Sequence, residues 1–168
     1  MMLTIRPIDP ERDRDTLLEL HRMGNYDSET PWARTTSYDD YREKWLSTEQ
    51  TDSFLTHLSQ SMEDERTIAS IWEEDGLAVG FVWVAFREVE GYDVTIAEIN
   101  DIAVSASHRR QGIGTEILEH VEALARERGA DLLRSDTGIE NLASDRLHTK
   151  AGFKPIRTEY EKVLNPPP

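Results

Sequence analysis

The sequence predicts an α/β domain in which one mixed, mostly antiparallel sheet carries helices on both faces. Three observations lead there. β-prone runs at 68–72 and 77–86 flank Asp75-Gly76, a two-residue connection characteristic of an antiparallel hairpin. A third run, Val94 to Val104, leads through a polar, glycine-containing turn into a segment of helical period. Leu132 to Asp136 is then a shorter strand, so this helix is the connection of a βαβ unit.

The remaining elements follow in order. Leu3 to Pro7 alternates and reads as a first strand at a sheet edge. Asp9-Pro10-Glu11 reads as a helix start, with Asp9 as N-cap, Pro10 in the first helical position, and Leu17, Leu18 and Met23 facing inward. Gly24 to Ser37, with Asn25, Pro31 and Trp32, has loop character. Asp39 to Leu46 and Asp52 to Met62 are two further helical pieces, and Glu88 to Asp93, containing Gly91, turns the chain. The helix from Gly112 to Arg128 puts Ile113, Ile117, Leu118, Val121 and Leu124 on one face and stops at Gly129. Asn141 to Lys150 is another helix, closed by Gly152, and Ile156 to Leu164 is expected as a last strand before a Pro-rich tail.

Composition narrows the function. A chain of 168 residues suits one domain, taken here as 1–168, with 38% hydrophobic residues to build its core. Nineteen Lys and Arg against 33 Asp and Glu leave a net charge of −14, which argues against nucleic acid and favours cationic partners or a solvated acidic surface. No apolar run approaches the roughly 20 residues of a membrane span. Met1 to Arg6 lacks the order of a signal peptide, so a cytoplasmic protein is expected. Without cysteine there is no disulfide, thiolate metal site or Cys nucleophile; the five histidines show no ligand pattern, and no metal is assigned.

The most informative segment is Arg109-Arg110-Gln111-Gly112-Ile113-Gly114-Thr115, between a strand and a helix. The first amides of that helix lack intrahelical acceptors, and the helix dipole places partial positive charge there. Glycines at 112 and 114 allow phosphates close to the backbone, and two arginines add formal charge in an acidic chain. A dinucleotide fingerprint would need glycine where Ile117 stands, and no Gly-Lys-Ser/Thr of a P-loop exists.

Arg109-x-x-Gly112-x-Gly114 resembles the pyrophosphate loop of the GNAT superfamily of N-acetyltransferases. Asn100 to Val104 looks like that family's fourth strand. Asn141-x-Ala143 followed by Leu147-His148-Thr-Lys150-Ala-Gly152-Phe153 resembles its second motif. The resemblance is tight over 97–164; the first 65 residues match in element order alone. It implies a cofactor core at about 94–155, acetyl-CoA as co-substrate, and a fourth strand splayed from a parallel fifth. It further implies that Ile102, Ala103 and Val104 bind the pantetheine arm through main chain, and that backbone amides from Arg109 through Arg110, Gln111, Gly112, Ile113 and Gly114 to Thr115 hold the pyrophosphate. For Ile102 and Val104 plain strand core is compatible with that role, and Asn141 is either a cofactor contact or a helix N-cap.

The chemistry adds its own demands. An alkyl amine has a pKa of about 10.4, so fewer than about one molecule in a thousand is a free nucleophile at neutral pH. A carboxylate must accept its proton, and a strand amide near Val104 can stabilise the oxyanion. Glu98 and Asp101 both lie on the key strand, on opposite faces unless a bulge intervenes. Ala97-Glu98-Ile99 resembles the stretch that carries the base in histone-type members, which ranks Glu98 first; Asp101 is then amine-orienting or structural, and either can instead pair with an arginine. A tyrosine is common in the family where His148 stands. His148 can protonate the leaving thiolate or can be a half-buried helix residue.

In this family the acceptor pocket is built from the first helices and their loop. Here that implies Tyr26 to Tyr41, with Trp32 and Tyr38, together with the 88–93 turn, aromatics and carboxylates that suit a cationic amine. The expected function is acetyl transfer to a primary amine by direct attack in a ternary complex. The acceptor is open between a small cationic amine and a protein N-terminus or lysine. A non-catalytic acyl-CoA-binding module is the rival class, and a homodimer is a further expectation from the family.

Overall fold

The computed structural model describes residues 3–29 and 36–165. The chain runs β1 (Leu3–Pro7), α1 (Arg14–Ser28), α2 (Tyr38–Leu46), α3 (Gln50–Ser61), β2 (Ile68–Glu74), β3 (Leu77–Glu88), β4 (Thr95–Val104), α4 (Ile113–Glu127), β5 (Leu132–Arg134) and α5 (Leu142–Lys150). One short 3₁₀ turn, Ala106–His108, separates β4 from the glycine turn. The five strands lie in the order β1-β2-β3-β4-β5, antiparallel throughout except for the parallel β4/β5 pair. The expected α/β fold with a mixed sheet is therefore present. The β2–β3 hairpin closes through Asp75 (φ 51°) and Gly76 (φ 79°), both left-handed as a tight two-residue turn requires.

Strand alternation divides the core into two layers. Ile71, Phe81 and Ala103 meet Leu17 and Leu18 of α1, Trp45 of α2 and Phe54 and Leu58 of α3. On the other face Ile68, Trp72, Val82, Val84 and Ile99 meet Ile113, Ile117, Leu118 and Val121 of α4, with Leu147 of α5 alongside. Helices thus cover both faces.

Four expectations are corrected. α1 starts at Arg14, because Asp9 Oδ1 accepts from the amides of Glu11 and Arg12 and closes a separate turn. It also continues through Gly24 to Ser28. A Cβ on Gly24 would lie 3.8 Å from Ala103 Cβ, so the helix packs on β4 through its glycine, and tertiary contact outweighs a poor propensity. Ile156 to Leu164 forms no strand, and Ile156, Tyr160 and Leu164 stay exposed. β5 stops at Arg134 rather than Asp136, and its three-residue edge offers too few ladder bonds to order a nine-residue partner.

Candidate active site

Two breaks in sheet regularity shape the site. Ile96, Ala97 and Glu98 of β4 pair with Leu132, Leu133 and Arg134 of β5, and the pairing ends there. Among the described residues no strand pairs with the outer side of β4 from Ile99 to Val104, the splay expected of a slot for an extended ligand. The second break is a bulge. Trp83 is opposite Asp101 and Val84 is opposite Ile99, so Asn100 is the extra residue. Cross-strand partners project to one side, so Ala85↔Glu98 and Trp83↔Asp101 place both carboxylates on the α1 face. Ile102 and Val104 turn toward α4, and Ala103 is buried toward α1.

The glycine turn lies just past the open part of β4. Arg110 (φ 64°) and Gly112 (φ 94°) are left-handed at alternate positions, which turns successive amides toward a common side, a geometry that receives anions. Nothing lies within 4 Å of a Cβ placed on Gly112. Gly114 has another purpose: a Cβ there would lie 3.0 Å from Leu147 Cδ2, so its bareness lets α5 pack on α4. The Thr115 amide is engaged by Gly112 O at 2.9 Å. Arg109 donates through Nε to Val104 O at 3.2 Å and pairs with Asp27 at 2.7 Å, and Gln111 Nε2 donates to Ser107 O at 3.1 Å. Anion-holding capacity therefore rests on the first-turn amides of α4 and the exposed Arg110. These residues fit a pyrophosphate.

The two strand carboxylates differ in setting. Glu98 accepts from Arg87 Nε at 2.9 Å and its side chain is 37% exposed. Asp101 is enclosed between β4 and α1, where burial pushes its carboxyl above the ordinary carboxylate range against the opposing pull of His21. His21 Nδ1 lies 2.5 Å from Asp101 Oδ2. Sequence reasoning missed His21. Its signal is local: His21 and Asn25, one turn apart, occupy the inward side of α1 where Leu17 and Leu18 precede them.

His148 is buried, with Nδ1 2.8 Å from Ser144 O and Nε2 2.8 Å from Ser135 Oγ. A carbonyl only accepts, so Nδ1 carries the proton and Nε2 accepts from the serine. Both nitrogens are occupied, Nδ1 within α5 and Nε2 in tying α5 to the residue that follows β5. Asn141 is an N-cap: Oδ1 accepts from the Ser144 amide at 3.2 Å while Nδ2 donates to Ser28 Oγ at 3.1 Å. The adjacent Gly138 lies against Ser28, where an added Cβ would stand 2.1 Å from the Ser28 carbonyl oxygen. The last turn of α1 thus touches both sides of the slot, Asp27 at Arg109 and Ser28 at the loop after β5.

Of the residues expected in the acceptor pocket, Trp32 lies outside the described residues. Tyr26 meets Tyr38 edge-on and Tyr41 at a tilt, at 5.3 and 5.2 Å between centroids, and Glu19 and Glu29 accept from the hydroxyls of Tyr38 and Tyr41. The 88–93 turn is not brought to Asp101. It precedes Thr95 at the far end of β4, about 20 Å along the strand at about 3.3 Å per residue.

The sequence matches the Acetyltransferase (GNAT) family over residues 27–153. The chain belongs to this family. An aminoglycoside N(6')-acetyltransferase type 1 of Klebsiella aerogenes is 37% identical over 84 residues, 49% of this chain and 55% of that protein. A protein of the same name from Serratia marcescens is 38% identical over 93 residues, 54% of this chain and 61% of the relative. The chain thus matches just over half the length of these two GNAT relatives. A Clostridium acetobutylicum structure solved with acetyl-CoA is similar in fold, with a TM-score of 0.71 at 15% identity over 97% of each chain. Among the described residues no helix is long and apolar enough to cross a membrane.

Proposed function

We propose that this GNAT protein transfers the acetyl group of acetyl-CoA to a primary amine of a small cationic molecule, by direct attack in a ternary complex. The observation that carries the reading is the parting of β4 from β5 after Glu98, which leads straight into the Gly112 turn. In this reading the outer backbone of Ile102 to Val104 receives the pantetheine arm, and the amides and guanidinium around Arg110 to Gly114 receive the pyrophosphate. Asn141 acts through its cap by shaping the far side of the slot.

The acceptor enters from the α1 face, the side to which the bulge turns both carboxylates. Glu98, ranked first on resemblance, is bonded by Arg87. The geometry therefore favours Asp101 as proton acceptor, since burial raises its affinity for a proton toward what an ammonium donor needs. His148 keeps α5 in place, and the leaving thiolate takes its proton from the amine by way of solvent. Aminoglycosides are the acceptor class that the named relatives point to, and a net charge of −14 suits such polycations.

Thiol release from acetyl-CoA tests the reading, with kanamycin, spermidine and a lysine-bearing peptide as acceptors. Turnover with kanamycin or spermidine is the expected result. Turnover with the peptide alone would move the function to protein acetylation. A melting-temperature gain with acetyl-CoA but no turnover on any amine would make the domain an acyl-CoA-binding module.

A further inference from the structure

α1 presents a polar pair where its inward face would otherwise be apolar. His21 stacks on Phe54 of α3 at 3.9 Å between ring centroids and meets Trp45 of α2 edge-on at 5.8 Å. Its Nε2 lies 3.0 Å from Asn25 Nδ2 and its Nδ1 2.5 Å from Asp101 Oδ2. An amide nitrogen only donates, so Nε2 is an acceptor and Nδ1 carries the hydrogen given to Asp101. The aromatic walls fix the ring plane, and the ring fixes the carboxylate. The other oxygen, Oδ1, lies beside Gly24, where a Cβ would be 3.9 Å away.

Among the described residues the ring faces one charged partner. Asp101 is the titratable group that β4 presents to the ring; α2 and α3 present Trp45 and Phe54, and Trp83 of β3 packs behind Phe54. Arg22, next in α1, turns away over the Trp45 ring and pairs with Glu19, while His57 of α3 is exposed beside Ser53.

We propose that His21 is the positioning residue of the acceptor's base: it orients Asp101 by donating to Oδ2, which leaves Oδ1 to take the proton that the amine gives up. The role rests on the acetyl-transfer reading above. An acceptor ammonium gives one N–H proton to Asp101 Oδ1. Its nitrogen lone pair forms the C–N bond to the thioester carbon as the C–S bond breaks. The second proton lost from nitrogen ends on the CoA sulfur, and the proton on Asp101 returns to solvent. His21 therefore does for the carboxylate what burial alone cannot: it holds one oxygen still and keeps the other aimed.

The test is the pH profile of kanamycin-dependent thiol release by the whole chain, from about pH 5.5 to about pH 9, a range that spans histidine titration. His21→Asn keeps an N–H near the Nδ1 position but cannot titrate. Expected are an unchanged melting-temperature gain with acetyl-CoA, a KM for kanamycin close to wild type, a kcat lower by about 100-fold, and a displaced acidic limb. Asn25→Ala removes the donor that favours a neutral ring, so its limb moves to higher pH. His21→Asn with wild-type kcat and limb, changed in melting temperature alone, overturns the role. Should that variant not fold, an unmoved limb in Asn25→Ala overturns it instead. A wild-type protein that binds acetyl-CoA and releases no thiol with any amine overturns the acetyl-transfer reading, and the role falls with it.

Discussion

Glu98 and Asp101 face the same side of the sheet although they are three residues apart, because Asn100 is bulged between them. Arg87 holds Glu98 and His21 holds Asp101. Asp101→Asn is expected to lower kcat/KM for acetyl transfer by about 100-fold or more, and Glu98→Gln by less than about 10-fold. Steady-state thiol release with a responsive amine measures both. Equal losses would return Glu98 to the first rank.

Gly112 and Gly114, two residues apart in one motif, should respond to substitution in different ways. Alanine at 112 must adopt φ 94° in open space, a local strain of about 1–2 kcal/mol without any clash. Valine at 114 presses on Leu147, an overpacking cost of about 2 kcal/mol. Leu147→Ala should then recover part of the stability lost in Gly114→Val and none of that lost in Gly112→Ala. Thermal melts of the two double variants against their parents decide this.

Gly138→Ala is expected to be the most damaging of the glycine substitutions. Its Cβ would stand 2.1 Å from a backbone oxygen of Ser28, and backbone cannot swing away as the end of a leucine can. A loss of about 3 kcal/mol follows if the loop after β5 separates from α1. Faster amide exchange at 137–141 and at the end of α1, with the sheet still protected, would be its signature.

The acid limb of stability is set at the other end of α1. Arg6 grips the buried Asp13 through two nitrogens, both at 2.7 Å, and also binds Glu73. That pairing holds the Asp13 carboxyl below its ordinary value of 3.8, so the native state binds fewer protons than the unfolded chain. The stabilisation is present above the ordinary carboxylate value and is lost as pH falls through the depressed native one. Asp13→Asn should cost about 2 kcal/mol near neutral pH, because the partly exposed Arg6 limits the gain from the pair. Below about pH 3 the variant and wild type should melt closer together. A constant gap down to that pH would refute the assignment.

Local chemistry made much of the fold legible. The Asp75-Gly76 hairpin, the period of α4 and its stop at Gly129, and the Gly112 turn all depend on neighbours in the chain, and they appear where the residues predict. What could not be read locally depended on a partner far away. α1 runs through Gly24 because Ala103 receives it. Ile156 to Leu164 has the residues of a strand but meets an edge of three residues.

The site divides along the same line. The sequence by itself determined the Gly112 turn, since a left-handed glycine ahead of a helix belongs to the chain's own geometry, and it named the two carboxylates of β4. The tertiary structure decided what those groups can do. A bulge set by the β3 register turned Glu98 and Asp101 to one face, Arg87 bonded the first, and His21 from a helix 80 residues earlier took hold of the second. A side chain's proton affinity follows from the charges and burial around it, and these exist only after the chain has folded.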